Sequence, residues 1–168
     1  MTLLLASLSL FLLLYAALHD FAARTVPNWV SGGVFLCGVA LRGLDHNLLP
    51  SLGAAAIIFI LLFGIWAAGL MGGGDVKLWA ASSLLIQPSW QMELLSVAHV
   101  MLLGGGLAIF YLLLSFLVRR PVVSNAGSCL RRCLRAEQWR VARRGPLPYA
   151  VAISGGTLMV MLPRVLQS

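Results

Sequence analysis

Two carboxylates in an otherwise greasy chain are the side chains best placed to do chemistry. The 168 residues include only five acidic ones. Asp45 falls in a polar turn, and Glu137 sits among arginines that can pair with it. Glu93 opens an apolar run, where a carboxylate complements the positive end of a helix dipole. That leaves Asp20 and Asp75, each bordering or entering an apolar segment. An acidic group there is costly unless it faces a polar cavity or a partner. Either residue can serve as a helix cap or an interface anchor. Asp20 can also pair with Arg24, four residues on, and Asp75 with Lys77. Held together, the two aspartates can do what neither does singly. Like charges at close range do not both ionise easily, so such a pair shares one proton. The ionised member then takes a proton from water as general base. The protonated member hydrogen-bonds a scissile carbonyl as general acid.

The neighbours of Asp75 fit this chemistry without demanding it. Gly72, Gly73 and Gly74 lack a Cβ, so the backbone there can take positive φ and admit another chain closely. A helix broken at these glycines leaves amides free to bind an extended strand; a simple inter-helix turn is the plainer reading. The spacing lacks the Gly-x-x-x-x-Gly-Lys-Ser/Thr pattern of a phosphate loop. Ser/His/Asp catalysis lacks a serine placed near His19, His46 or His99. His19, next to Asp20, reads as a neighbour that tunes the site. Cys37 reads as a small core residue. Cys129 and Cys133 lie four apart with no His or third Cys nearby, so neither a metal site nor another cofactor is expected.

The elements that must position the pair are membrane helices. The chain is 60% hydrophobic and 10% charged, with a mean hydropathy of +0.94. Its apolar residues come in long unbroken runs. Such runs read as helices crossing the hydrocarbon core, because lipid forces every backbone amide to be satisfied internally. They are too long and too uniformly apolar for barrel strands. The expected fold is all-α: a single polytopic membrane domain over 1–168 with about six transmembrane helices. These fall near 2–19, 29–44, 51–70, 76–86, 93–118 and 147–162. No Lys or Arg precedes the apolar run 3–14, so the first helix reads as uncleaved rather than as a signal peptide.

Charge sets the orientation. The loops after helices one, three and five hold Arg24, Lys77, Arg119, Arg120, Arg131, Arg132, Arg135, Arg140, Arg143 and Arg144. The opposite side holds only Arg42 and Arg164. That asymmetry turns the termini outward and places Asp20 and Asp75 at the cytoplasmic ends of helices. The net charge of +7 sits mostly in the segment 119–146, so topology explains it and a nucleic-acid partner is not expected. That segment reads either as a solvated cytoplasmic loop or as a surface helix on anionic lipid. Trp29, Trp66, Trp79 and Trp90 stand near helix ends or in cores, as interface aromatics do.

Three motifs carry a resemblance. Asp20-Phe21-Ala22-Ala23-Arg24-Thr25-Val26-Pro27-Asn28 resembles the Asp-x3-Arg-x-Ile-Pro-Asn signature of prepilin peptidases, the type IV leader peptidases. Gly72-Gly73-Gly74-Asp75-Val76-Lys77-Leu78 is similar to their Gly-x-Gly-Asp-x-Lys-Leu motif, which presenilin-type proteases share in its Gly-Asp part. Pro148-Tyr149-Ala150-Val151-Ala152 resembles the Pro-Tyr-Gly-x-Ala that opens their final helix. Val26 stands for the usual Ile and Ala150 for the usual Gly, both mild changes. The resemblance implies a metal-independent aspartic endopeptidase of the bacterial inner membrane. It cuts the leader from type IV prepilins ahead of their first hydrophobic helix, at the cytoplasmic face. It implies that Asp20 and Asp75 are the catalytic pair, with Arg24, Pro27, Asn28, Gly72, Gly73, Gly74 and Lys77 shaping the site. Long members add paired Cys-x-x-Cys motifs and methylate the new N-terminus. This sequence shows neither, and so resembles the short form found with Flp or tight-adherence pili, with peptidase activity alone. Two other readings stand beside this one: a small ion-coupled transporter, and a non-catalytic pilus or secretion assembly protein. A transporter more readily places its carboxylates at mid-membrane and shows a repeat.

Overall fold

A computed structural model describes residues 1–117 and 147–165. The expected basic segment at 119–146, with Cys129, Cys133 and Glu137, lies outside the described residues.

Six α-helices account for nearly all of the described chain: α1 Thr2–Ala23, α2 Asn28–Leu44, α3 Leu48–Ala67, α4 Gly73–Ser83, α5 Trp90–Leu117 and α6 Tyr149–Val165. Three of them, α1, α3 and α5, are long and apolar enough to cross a membrane on their own. The chain is thus an all-helical protein with the make-up of a polytopic membrane protein. Leu4, Phe11, Ile57, Leu102 and Phe110 lie exposed on its outer surface. So much exposed apolar area suits lipid rather than water.

Several helix ends differ from the sequence expectation, each for a local reason. α1 does not stop at 19. It runs to Ala23 because the chain turns only at Arg24, whose φ of 58° is left-handed and whose N–H bonds the Asp20 carbonyl. α3 begins at Leu48 rather than 51, since Pro50 falls in the first turn, where its missing N–H costs nothing. It also ends early, at Ala67, ahead of Gly69 with φ 74°. α4 starts at Gly73, so Gly73 and Gly74 belong to its first turn. The positive φ expected at the glycine run falls at Gly69 instead.

α4 is the buried strut of the bundle. Its eleven residues rise only about 16 Å, half the thickness of a hydrocarbon core. From Leu78 through Ile86 every residue is buried. α4 packs on α2, α3 and α6, while α5 packs along α6 and α1 lies against α2 and α6. The core joins Leu13 and Ala16 of α1 to Val30 and Val34 of α2, Leu78 of α4 and Ile153 of α6, each fully enclosed. Two glycines permit the closest approaches. A Cβ on Gly38 would come within 2.5 Å of Leu84, and one on Gly156 within 2.7 Å of the Val100 backbone. Polar contacts add to this packing, as between helices in lipid generally. The Ser154 hydroxyl of α6 donates to the Leu13 carbonyl of α1 at 2.9 Å.

Candidate active site

The end of the bundle formed by the C-terminus of α1 and the N-termini of α2, α4 and α6 gathers the residues singled out above. Asp20 sits in the last turn of α1 and Asp75 in the first turn of α4. Both line one cavity of about 240 Å³, together with Arg24, Thr25, Val26, Asn28, Gly72 and Gly74. The two carboxylates, 55 positions apart in sequence, are close enough to act on each other electrostatically.

Their surroundings differ. Asp20 is 4% exposed. Its Oδ2 accepts a hydrogen bond from the Ala150 N–H at 3.0 Å. That amide lies in the first turn of α6, where backbone donors have no partner within their own helix and the dipole is positive. The helix opened by Pro148-Tyr149-Ala150 therefore ends on the α1 carboxylate. Asp75 is only partly buried. Gly72 makes room for it: a Cβ there would stand 2.9 Å from Asp75 Oδ2. Gly74 makes room for the α1–α2 connection, since its Cβ would lie 3.3 Å from that of Val26. Close approach, not positive φ, is what these two glycines supply.

The basic and polar side chains hold the rim. Lys77 Nζ donates to Asn28 Oδ1 at 3.2 Å, tying α4 to α2, so this hydrogen bond goes to Asn28 rather than to Asp75. Pro27 caps the start of α2 with extended backbone. Arg24 donates from Nη2 to the Tyr111 hydroxyl at 3.2 Å, and its guanidinium lies 5.4 Å from the centre of that ring. His19 spans the connection through Nδ1, 2.7 Å from the Thr25 carbonyl oxygen. It clamps the 24–27 turn.

Tyr111 and the Ala150 amide are the two participants that sequence reasoning missed. Ala150 stood inside a motif, but its contribution is a backbone donor, which no side-chain reading exposes. Tyr111 carried one faint signal, a hydroxyl near the end of an apolar run. Among the described residues, no group of three or more His, Cys, Asp or Glu side chains gathers as a metal site requires. What the cavity offers is two interacting carboxylates, one donor-bound and buried, one partly open, in a space that admits water.

A family model described as the type IV leader peptidase family matches residues 7–118. That match takes in 112 of the 168 residues and both aspartate segments. No curated protein and no solved structure matches the chain. The chain belongs to the type IV leader peptidase family.

Proposed function

We propose that this member of the type IV leader peptidase family is an aspartic endopeptidase that removes the leader from Flp-like type IV prepilins. One observation carries the reading: Asp20 and Asp75, from different helices, line a single cavity at one end of an apolar bundle. An acidic pair in such surroundings is costly without a task.

The reaction follows from the pair. One carboxylate, ionised, takes a proton from a water molecule as that water attacks the scissile carbonyl carbon. The other, protonated, hydrogen-bonds the carbonyl oxygen and steadies the charge that develops on it. The tetrahedral intermediate then collapses, the C–N bond breaks, and the leaving amine takes a proton from the pair. Two carboxylates that share one proton titrate as a unit, so base and acid are roles of the pair rather than of either residue. Arg24, Pro27, Asn28, Lys77 and the glycines hold the two helices in register around it.

The surrounding charge supports a cytoplasm-facing site in the bacterial inner membrane. Arg24 and Lys77 stand at the dyad end, and the eight arginines between 119 and 144 fall on the same side in the sequence reading. Those arginines also suit contact with anionic lipid headgroups.

The test is co-expression with a candidate prepilin, following leader loss by gel mobility, for wild type, Asp20→Asn and Asp75→Asn. Wild type is expected to shift the prepilin and neither variant to do so. Cleavage by either variant removes the paired mechanism. Failure of wild type on every Flp-like prepilin presented to it removes the assignment.

A further inference from the structure

We propose that the furrow between α2 and α3, floored by α4, docks an apolar helix of the substrate, the segment that follows the cut bond. This rests on the peptidase reading above and adds where the rest of the substrate lies.

The furrow exists because α2 and α3 both pack on α4 and scarcely on each other. It encloses about 500 Å³. Small side chains from all three helices line it, Ser31 and Gly32 on α2, Ala55 and Ala56 on α3, Ala80 and Ala81 on α4, beside the larger Phe35, Leu52 and Phe59. Small residues at such spacing let a further helix backbone approach closely in lipid. A Cβ built on Gly32 meets nothing within 4 Å, so the space is open rather than filled by this chain.

A stripe of small residues says nothing by itself about a ligand. Ser31 does. It is 5% exposed, yet its hydroxyl has no hydrogen-bond partner among the described residues. Other buried serines of α3 and α4 return theirs to a carbonyl about one turn back: Ser51 to Asn47, Ser82 to Trp79 and Ser83 to Ala80. A buried hydroxyl kept from that bond is available to something else.

Continuity identifies the occupant. Asn28 lines both the furrow and the dyad cavity, and Lys77, bonded to Asn28, lines the furrow beside it. A chain extended across the dyad passes Asn28 directly into the furrow. Once in an apolar, lipid-facing space it must satisfy its backbone internally, so it becomes a helix. The first amides of that helix lack partners within it. Ser31, one turn along α2 from Asn28, lines the furrow where those amides fall, its unbonded hydroxyl enclosed in the wall. A helix that begins beside the dyad and runs away from it is the portion C-terminal to the cut.

The experiment fills the furrow and traces its occupant. Gly32→Leu is expected to raise KM for full-length prepilin about tenfold or more and to leave kcat within about twofold, which also shows that the variant folds. A photo-crosslinking residue replacing Phe35, which lines the furrow, in the Asp75→Asn background is expected to capture uncut prepilin through its apolar helix. The same residue replacing Phe11, exposed on α1, is expected not to. Unchanged KM in Gly32→Leu, or furrow adducts with lipid alone, would overturn the docking proposal while cleavage by wild type left the peptidase reading standing. Loss of both readings requires that wild type cut no prepilin.

Discussion

The two ends of the bundle hold cavities of nearly the same size and opposite electrostatic logic. At the dyad end, about 240 Å³ is lined by two carboxylates that repel each other. At the far end, about 250 Å³ is lined in part by Arg42 and Asp45, which attract. Arg42 is 6% exposed. Its Nη1 lies 2.9 Å from Asp45 Oδ2, and its Nη2 donates to the Leu85 carbonyl at 3.4 Å. It also acts electrostatically on Glu93, whose carboxylate oxygens have no hydrogen-bond partner among the described residues. One guanidinium thus ties the C-terminal end of α2 to the turn after α4. Cavity size does not separate the two ends; the sign of the charges does, and the proposed chemistry belongs to the like-charged one. Opposite charges lower the energy of the fold, whereas like charges are retained against it.

That contrast can be broken by substitution at either end. The largest effect belongs to Asp20→Asn and Asp75→Asn, each expected to lower cleavage by about 10³-fold or more with the melting temperature unchanged. The carboxamide of Asp20→Asn keeps an acceptor for the Ala150 N–H, so a loss of folding there would contradict the assignment of roles. Arg42→Met is expected to do the reverse. It breaks the Asp45 ion pair and the bond to the Leu85 carbonyl, costing about 2 kcal/mol of stability in a denaturation assay. The protein that remains folded is expected to cleave near the wild-type rate; a specific loss of kcat would tie the far end to the chemistry. Gly72→Ala sharpens the picture at the dyad. The new Cβ meets only the end of the Asp75 side chain, which can rotate away. Stability is expected to hold, while kcat falls about ten- to a hundredfold because the carboxylate is displaced. The smallest effect is that of Tyr111→Phe, which keeps the ring against Arg24 and removes its hydroxyl partner. About a fivefold drop in kcat/KM is expected, the size of one hydrogen bond.

The sequence made the dyad and its side of the bundle easier to read than the geometry around it. Asp20 and Asp75 stood out because an apolar chain has few acidic residues and these two sat inside motifs. The helical class followed from run length alone. Helix ends were harder, because they turn on single backbone choices such as the left-handed Arg24 or the tolerance of Pro50 in a first turn. Glu93 was legible as a first-turn carboxylate, but Arg42 as a buried tie was not, since its bond to the Leu85 carbonyl joins α2 to the turn after α4. The furrow was invisible for the same reason. Ser31, Ala56 and Ala80 acquire meaning only once α2 and α3 are seen to part over α4.

The hydrogen bond from Ala150 to Asp20 joins residues 130 positions apart. At ribosomal speeds of about 5–20 residues per second, α1 emerges roughly ten seconds before its partner amide exists. Throughout that interval Asp20 lacks the α6 donor that holds it in the finished bundle. The surroundings of Asp20 are therefore completed late in synthesis, long after both carboxylates have been made.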